Sequence, residues 1–188
     1  VLGLSGGIDS AVTLAVAVDA LGADRVRAVM MPFRYTSGMS IEDAEAEAVA
    51  LGVQYDVFSI EPMYDAFMET LAAPFEGTQP DTTEENLQAG GFDVLKDVPK
   101  TLVFRLAWYR NSVSQVIPER VITRPPSAEL APDQKDEDSL PGYDILDQIL
   151  NLYVERDLSA DAIVAQGFDR ADVDRVVRLV DVNEYKRR

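Results

Sequence analysis

Two residue types are missing from this 188-residue chain altogether: cysteine and histidine. Without cysteine there is no disulfide, no thiolate metal site and no cysteine nucleophile, and the redox compartment stays open. Without histidine, the usual general base near neutral pH and the usual zinc ligand are gone. Cations are scarce: 17 Lys and Arg stand against 33 Asp and Glu, a formal net charge of -16. No basic stripe is available to meet a phosphate backbone, which argues against nucleic acid as a partner. No apolar run is long enough to span a bilayer and no signal peptide precedes the first strand, so we expect no membrane partner and a cytoplasmic location. What the chain does have is 47% apolar residues, enough for one domain with a proper core. Any chemistry must run on carboxylates, the few cations, hydroxyls, backbone dipoles or a hard metal.

The first ten residues, VLGLSGGIDS, carry most of the functional signal. A short apolar run ends in Ser-Gly-Gly, and an Asp-Ser pair opens an apolar helix. Gly6 and Gly7 can take backbone angles closed to other residues, so that successive N–H groups converge on one point. The helix behind them aims its positive end at the same place, which suits an anion, most simply a phosphate. Asp9 puts a carboxylate there too, and a bridging Mg²⁺ would reconcile the two. A plainer reading makes Asp9 or Ser10 nothing more than a helix N-cap. The loop is not a Walker A loop, which ends in Gly-Lys-Ser/Thr; the only lysine before position 100 is Lys96.

Further along, strands and helices alternate. The pattern predicts a helix over 11–21 closed by Gly22, a strand over 26–31, and a helix capped by Ser40 with Asp43 three positions on and Gly52 at its end. A strand over 55–60 follows, then a helix begun by Pro62 with Met63, Phe67 and Leu71 at helical spacing. Such alternation implies an α/β fold: a doubly wound parallel sheet, with ligands bound beyond the carboxyl ends of the strands. The C-terminal third reads as core-facing helices. Residues 143–153 carry Ile145, Leu146, Ile149 and Leu150 as one stripe, Ser159 caps a short helix, and Asp169 precedes a longer one. One stretch reads wrongly: Thr82 and Glu85 are spaced as a capping box, yet the chain meets Gly90-Gly91 with no apolar helix face built. A break near Ala89–Gly90 is expected.

SGGxDS after a strand resembles the pyrophosphate loop of the N-type ATP pyrophosphatases. TTEENLQA (82–89), GGFDVLKDVPKT (90–101), RPPSAEL (124–130), DQKDEDSLPGYD (133–144) and NEYKRR (183–188) are together similar to the NAD synthetase family, in particular the synthetase half of its glutamine-dependent form. The resemblance covers nearly the whole chain as one domain, residues 1–188. It implies an adenine nucleotide alpha hydrolase-like sheet with C-terminal helices. It implies a ligase that adenylates the carboxylate of deamido-NAD with ATP, releases pyrophosphate, and lets ammonia displace AMP. The ammonia would be free or supplied from glutamine by a glutaminase domain, which this chain does not contain.

The resemblance also assigns residues. Gly3, Leu4, Ser5, Gly6, Gly7, Ile8, Asp9 and Ser10 would cradle the ATP phosphates, with Asp9 holding Mg²⁺. Lys100 and Ser127 match positions that contact ATP phosphate; read alone, they are a solvated lysine at a helix start and a turn former after Pro-Pro. Asn86 and Lys186 match positions that bind deamido-NAD, though Lys186 alone would simply complement a helix dipole. Short ammonia-dependent relatives carry His-Lys where this chain has Tyr185-Lys186. Asp136, Glu137 and Asp138 lie in a charge run that matches a substrate-closing loop. No residue is assigned as a covalent or acid–base catalyst. In the family a few dozen residues separate ENLQA from GGF, including an arginine, an ATP-binding threonine and a metal-binding glutamate. A homo-oligomer is expected, with Trp108 and Tyr109 as candidate interface residues. The alternatives are a related ATP pyrophosphatase that adenylates a different substrate, and a non-catalytic nucleotide-binding subunit.

Overall fold

Parallel strands cannot be joined by a tight turn, so a chain that alternates strand and helix must cross over the sheet each time. The computed structural model of the chain follows that rule; it describes residues 1–73, 76–77, 95, 98–126 and 140–183. Strand β1 (Leu2–Gly3) leads into helix α1 (Ile8–Leu21), and β2 (Arg27–Met30) into α2 (Gly38–Leu51). Strand β3 (Gln54–Val57) then leads into α3 (Glu61–Leu71). The three strands pair in parallel in the order β1-β2-β3, with Leu2 opposite Ala28 and Ala28 opposite Tyr55. The expected α/β class with a parallel sheet is what the structure contains. The third strand stops short of residue 60, but its ladder continues as Phe58 N–H donates to the Met30 carbonyl at 2.9 Å.

Helix α2 corrects the expected cap. Ser37, not Ser40, is the N-cap, and its hydroxyl accepts from Ser40 N–H at 3.1 Å. Ser40 and Asp43 sit inside the helix on its buried face, each 1% exposed. Gly52 ends α2 as expected, in the left-handed conformation at φ 68°, with its N–H bonded back to Ala48 and Val49 carbonyls. In α3 the helical spacing is right, yet Met63 and Phe67 are 62% and 51% exposed, so the stripe does not enter the core.

After α3 the described helices are α4 (Lys100–Val113), α5 (Glu119–Thr123), α6 (Tyr143–Leu150), α7 (Ala160–Val164) and α8 (Arg170–Asn183). A π-helical turn, Asn151–Glu155, follows directly from α6. Within α6, Leu146 and Ile149 are buried and Leu150 packs against them, but Ile145 is 41% exposed and leaves the expected stripe. Ser159 caps α7 as expected, accepting from Ala162 N–H at 3.3 Å, and Asp169 accepts from Ala171 and Asp172 N–H at the start of α8. The apolar residues gather in two cores. One joins the sheet to α1, α2, α4 and α5, and the other joins α6, the π-turn, α7 and α8. The expected break at Ala89–Gly90 and the capping box Thr82–Glu85 lie outside the described residues.

Candidate phosphate-binding site

The loop between β1 and α1 is built by its own serines and glycines. Ser5 N–H donates to Ser10 Oγ at 3.1 Å, Gly7 N–H donates to Ser5 Oγ at 3.2 Å, and Ser10 Oγ donates to the Gly7 carbonyl at 3.0 Å. Gly6 stands at φ 77°, and a Cβ there would lie 2.2 Å from the Ser40 carbonyl oxygen of α2. Only glycine satisfies both demands at once. Gly7 is the N-cap of α1, and no side chain caps the helix. Neither Asp9 nor Ser10 is therefore the cap that the plainer reading makes of it. The first-turn N–H groups and the positive end of a 14-residue helix stay available to an anion. Leu4 and Ile8 are 1% and 4% exposed, with side chains in the core, so only their backbone can serve a ligand.

A cation is brought to this loop from 91 residues away. Lys100 is the first residue of α4, whose N-cap Pro99 offers no side-chain acceptor. Asp147 of α6 supplies one instead: its carboxylate accepts from Thr101 N–H at 2.7 Å and from Lys100 N–H at 3.4 Å. So fixed, Lys100 extends its Nζ to 2.5 Å from Asp9 Oδ2, and 5.8 Å from the centre of the Tyr143 ring. Its side chain is 18% exposed and that of Asp9 is 54% exposed. A lysine and an aspartate are thus paired over the N-terminus of α1, beside a glycine turn. Asp9 is the one carboxylate that the described residues place at this loop, and its Oδ2 is held by Lys100. No group of three or more Asp or Glu side chains arranged to hold a metal ion occurs among the described residues.

Of the expected site residues, the structure joins Gly3 to Ser10 with Lys100. Ser127, Asn86, Lys186, Tyr185, Lys96 and the run Asp136, Glu137, Asp138 lie outside the described residues. Sequence reading passed over Arg124, which opens the RPPSAEL stretch. Its Nη2 donates to the Gly6 carbonyl at 2.5 Å and to Ser40 Oγ at 3.1 Å. No local pattern marks an arginine whose partners lie 118 and 84 residues away.

The NAD synthase family profile matches residues 1–91 and 88–188. The glutamine-dependent NAD(+) synthetase of Acinetobacter baylyi is 54% identical over 230 residues, covering all of this chain and 42% of that protein. The solved glutamine-dependent NAD+ synthetase of Acinetobacter baumannii, in complex with adenosine diphosphate, is 47% identical with a TM-score of 0.63. It covers 99% of this chain and 40% of that one. An NMN synthetase structure from Francisella tularensis, 21% identical with a TM-score of 0.75, covers all of this chain and 85% of its own, and shares the fold. The chain spans about two fifths of the length of these glutamine-dependent relatives, 42% and 40%. This chain belongs to the NAD synthase family.

Proposed function

We propose that this chain is the ATP-using part of a ligase that amidates deamido-NAD to NAD in the cytoplasm. The observation that carries the reading is the Lys100–Asp9 pair, 2.5 Å apart at the mouth of the SGGIDS loop. A carboxylate is a poor acceptor for ammonia because oxide would have to leave. Its oxygen therefore attacks the α-phosphorus of ATP, pyrophosphate departs, and an acyl-adenylate forms. Ammonia then attacks the acyl carbon, AMP leaves, and the ammonium proton passes to solvent or buffer. Both steps gather negative charge on phosphate oxygens, so the chain's part is to position and to neutralise. The backbone N–H groups at the start of α1, not spent on the loop's own bonds, would hold the departing phosphates. Lys100 would exchange its contact with Asp9 for a phosphate oxygen, and Ser127 would add a hydroxyl. Asn86 and Lys186 would hold deamido-NAD. Mg²⁺, held by Asp9, would lower the charge on the phosphates when bound.

Deamido-NAD added to the purified chain with ATP, Mg²⁺ and ammonium tests this by release of pyrophosphate and formation of NAD. Pyrophosphate release triggered by another carboxylate, and not by deamido-NAD, would assign the chain to a different ATP pyrophosphatase. A second reading has its own support. The family profile matches in two stretches that meet at 88–91, and alignments to relatives run over 230 and 227 residues against 188 here. A segment that the family uses in its active site is on this reading missing from the chain. ATP binding without pyrophosphate release would make it a non-catalytic nucleotide-binding subunit.

A further inference from the structure

The Gly6–Gly7 peptide is the most easily reoriented link in the loop, because neither flanking residue has a Cβ to resist rotation. In a trans peptide the carbonyl and the next N–H point in opposite directions. Whatever holds the Gly6 oxygen therefore also aims the Gly7 N–H, which donates to Ser5 Oγ at 3.2 Å and so ties the turn together. A rotated peptide would break that bond and turn the oxygen towards the mouth of the loop, where it would repel phosphate.

The Gly6 oxygen is held by Arg124 Nη2 at 2.5 Å. The same Nη2 reaches Ser40 Oγ at 3.1 Å, and Nη1 stands 3.7 Å from Asp43 Oδ2. Ser40 and Asp43 are three residues apart on α2, so they share a face. The carboxylate of Asp43 is 2% exposed, and its other oxygen accepts from Arg120 Nε at 2.5 Å. A buried carboxylate is costly unless it is paired; Asp43 Oδ2 has no hydrogen-bond partner among the described residues, and the Arg124 guanidinium 3.7 Å away is the charge that faces it. The first turn of α2 completes the socket, since the Ser40 carbonyl leaves no room for a Cβ on Gly6.

We propose that Arg124, seated on the buried carboxylate of Asp43, is a positioning residue that fixes the Gly6–Gly7 peptide and so presents the phosphate loop to a nucleotide. The ligand rests on the function proposed above; the brace itself rests on the geometry. A merely structural role, supplying a partner for Asp43, is shared by Arg120, which bonds Asp43 and Glu42 but not the loop. That makes Arg120 an internal control.

The test uses the full chain as wild type, Arg124→Ala, Arg124→Lys and Arg120→Ala. Amide exchange at Gly6 to Asp9 is followed by NMR, ATP affinity by calorimetry, and folding by thermal unfolding. Loss of one charge-assisted bond to the loop should raise loop exchange and the Kd for ATP by about tenfold or more in Arg124→Ala. Arg124→Lys, with a donor but no fork, should fall between it and wild type. Arg120→Ala should lower Tm yet keep both loop readouts within about twofold of wild type. Parallel shifts in the two alanine variants would overturn the proposal, as would an unchanged loop in Arg124→Ala. If Arg124→Ala does not fold, Arg124→Lys decides, and identity with wild type in both readouts overturns it. Wild type that binds ATP but releases no pyrophosphate with deamido-NAD would count against the proposed reaction alone. Wild type that binds no ATP would overturn the nucleotide, while the exchange data would still decide the brace.

Discussion

The two cores bury different kinds of side chain. The core under the sheet shares its space with Ser40, Asp43 and Glu47, all on α2 and all at most 1% exposed. The C-terminal core is formed by Leu146, Ile149, Leu152, Ile163, Val173 and Val176, with no buried polar residue among those described. Burying a carboxyl group costs free energy that an apolar side chain of similar size does not. A scaffold has no reason to carry that cost. The region that carries it is the one against which the phosphate loop is packed. On the function proposed above, the polar interior lies under the working end, and the apolar interior holds it in place.

The sharpest way to break this comparison is Asp9→Asn. The substitution keeps the shape of the first turn of α1 and removes the charge that meets Lys100 at 2.5 Å and that would hold a cation. A fall in kcat/KM for pyrophosphate release of about a hundredfold or more is expected, the scale of losing one preorganised electrostatic contact. A near-normal rate would reduce the loop to a structural turn. Ile163→Ala makes the opposite case. Ile163 is fully buried in the C-terminal core, and its truncation should cost about 2–5 kcal/mol in denaturant unfolding. The KM for ATP should not move; a large rise would show that the two cores are not separable.

Glu47 sharpens the contrast through pH. Burial first, and the neighbouring Asp43 second, push its carboxyl from the usual 4.5 up to about 8. Both of its oxygens are buried without a hydrogen-bond partner among the described residues. Between those two pH values the native state keeps a proton that the unfolded chain gives up. The contribution of Glu47 to stability should therefore be fully present below 4.5 and be lost as pH rises towards 8. Glu47→Gln cannot ionise; it should flatten this slope and add on the order of 3 kcal/mol at pH 7. Urea unfolding at several pH values measures both. An unchanged slope would mean that Glu47 is ionised and solvated in the fold.

Local chemistry was legible in the sequence, and long-range pairing was not. SGGIDS announces its own turn because glycine tolerance and hydroxyl bonding act within a few residues, and the structure shows those bonds. The alternation of elements gave the parallel sheet for the same reason. Ser40 was misread as a cap because TSGMS offers two serines three apart, and the first of them takes the role. Asp43 then looked like a capping partner, since the arginines that claim it are 77 and 81 positions away. Ile145 looked like core because a stripe of four apolar residues cannot show which edge faces solvent. Lys100 was found through the DVPKT resemblance, and its contact with Asp9 could not be read from spacing.

Asp147 is where the two regions meet, and it gives the smallest expected effect. It belongs to α6, whose residues Leu146 and Ile149 enter the C-terminal core, yet its carboxylate caps α4 in the other. A carboxylate at a helix N-terminus both accepts the free N–H groups and suits the dipole. Asp147→Ala should cost about 1 kcal/mol of stability, the usual scale for a lost cap. Because the same helix start carries Lys100, fraying there should let its Nζ wander from the loop. The KM for ATP should then rise by about a fewfold, and kcat should fall with it because Lys100 also meets charge that gathers on the phosphates. Asp147→Asn keeps an acceptor oxygen and should restore most of both losses. A stability loss in Asp147→Ala with an unaltered KM would show that the cap supports α4 alone, and that the apolar core does not reach the site through it.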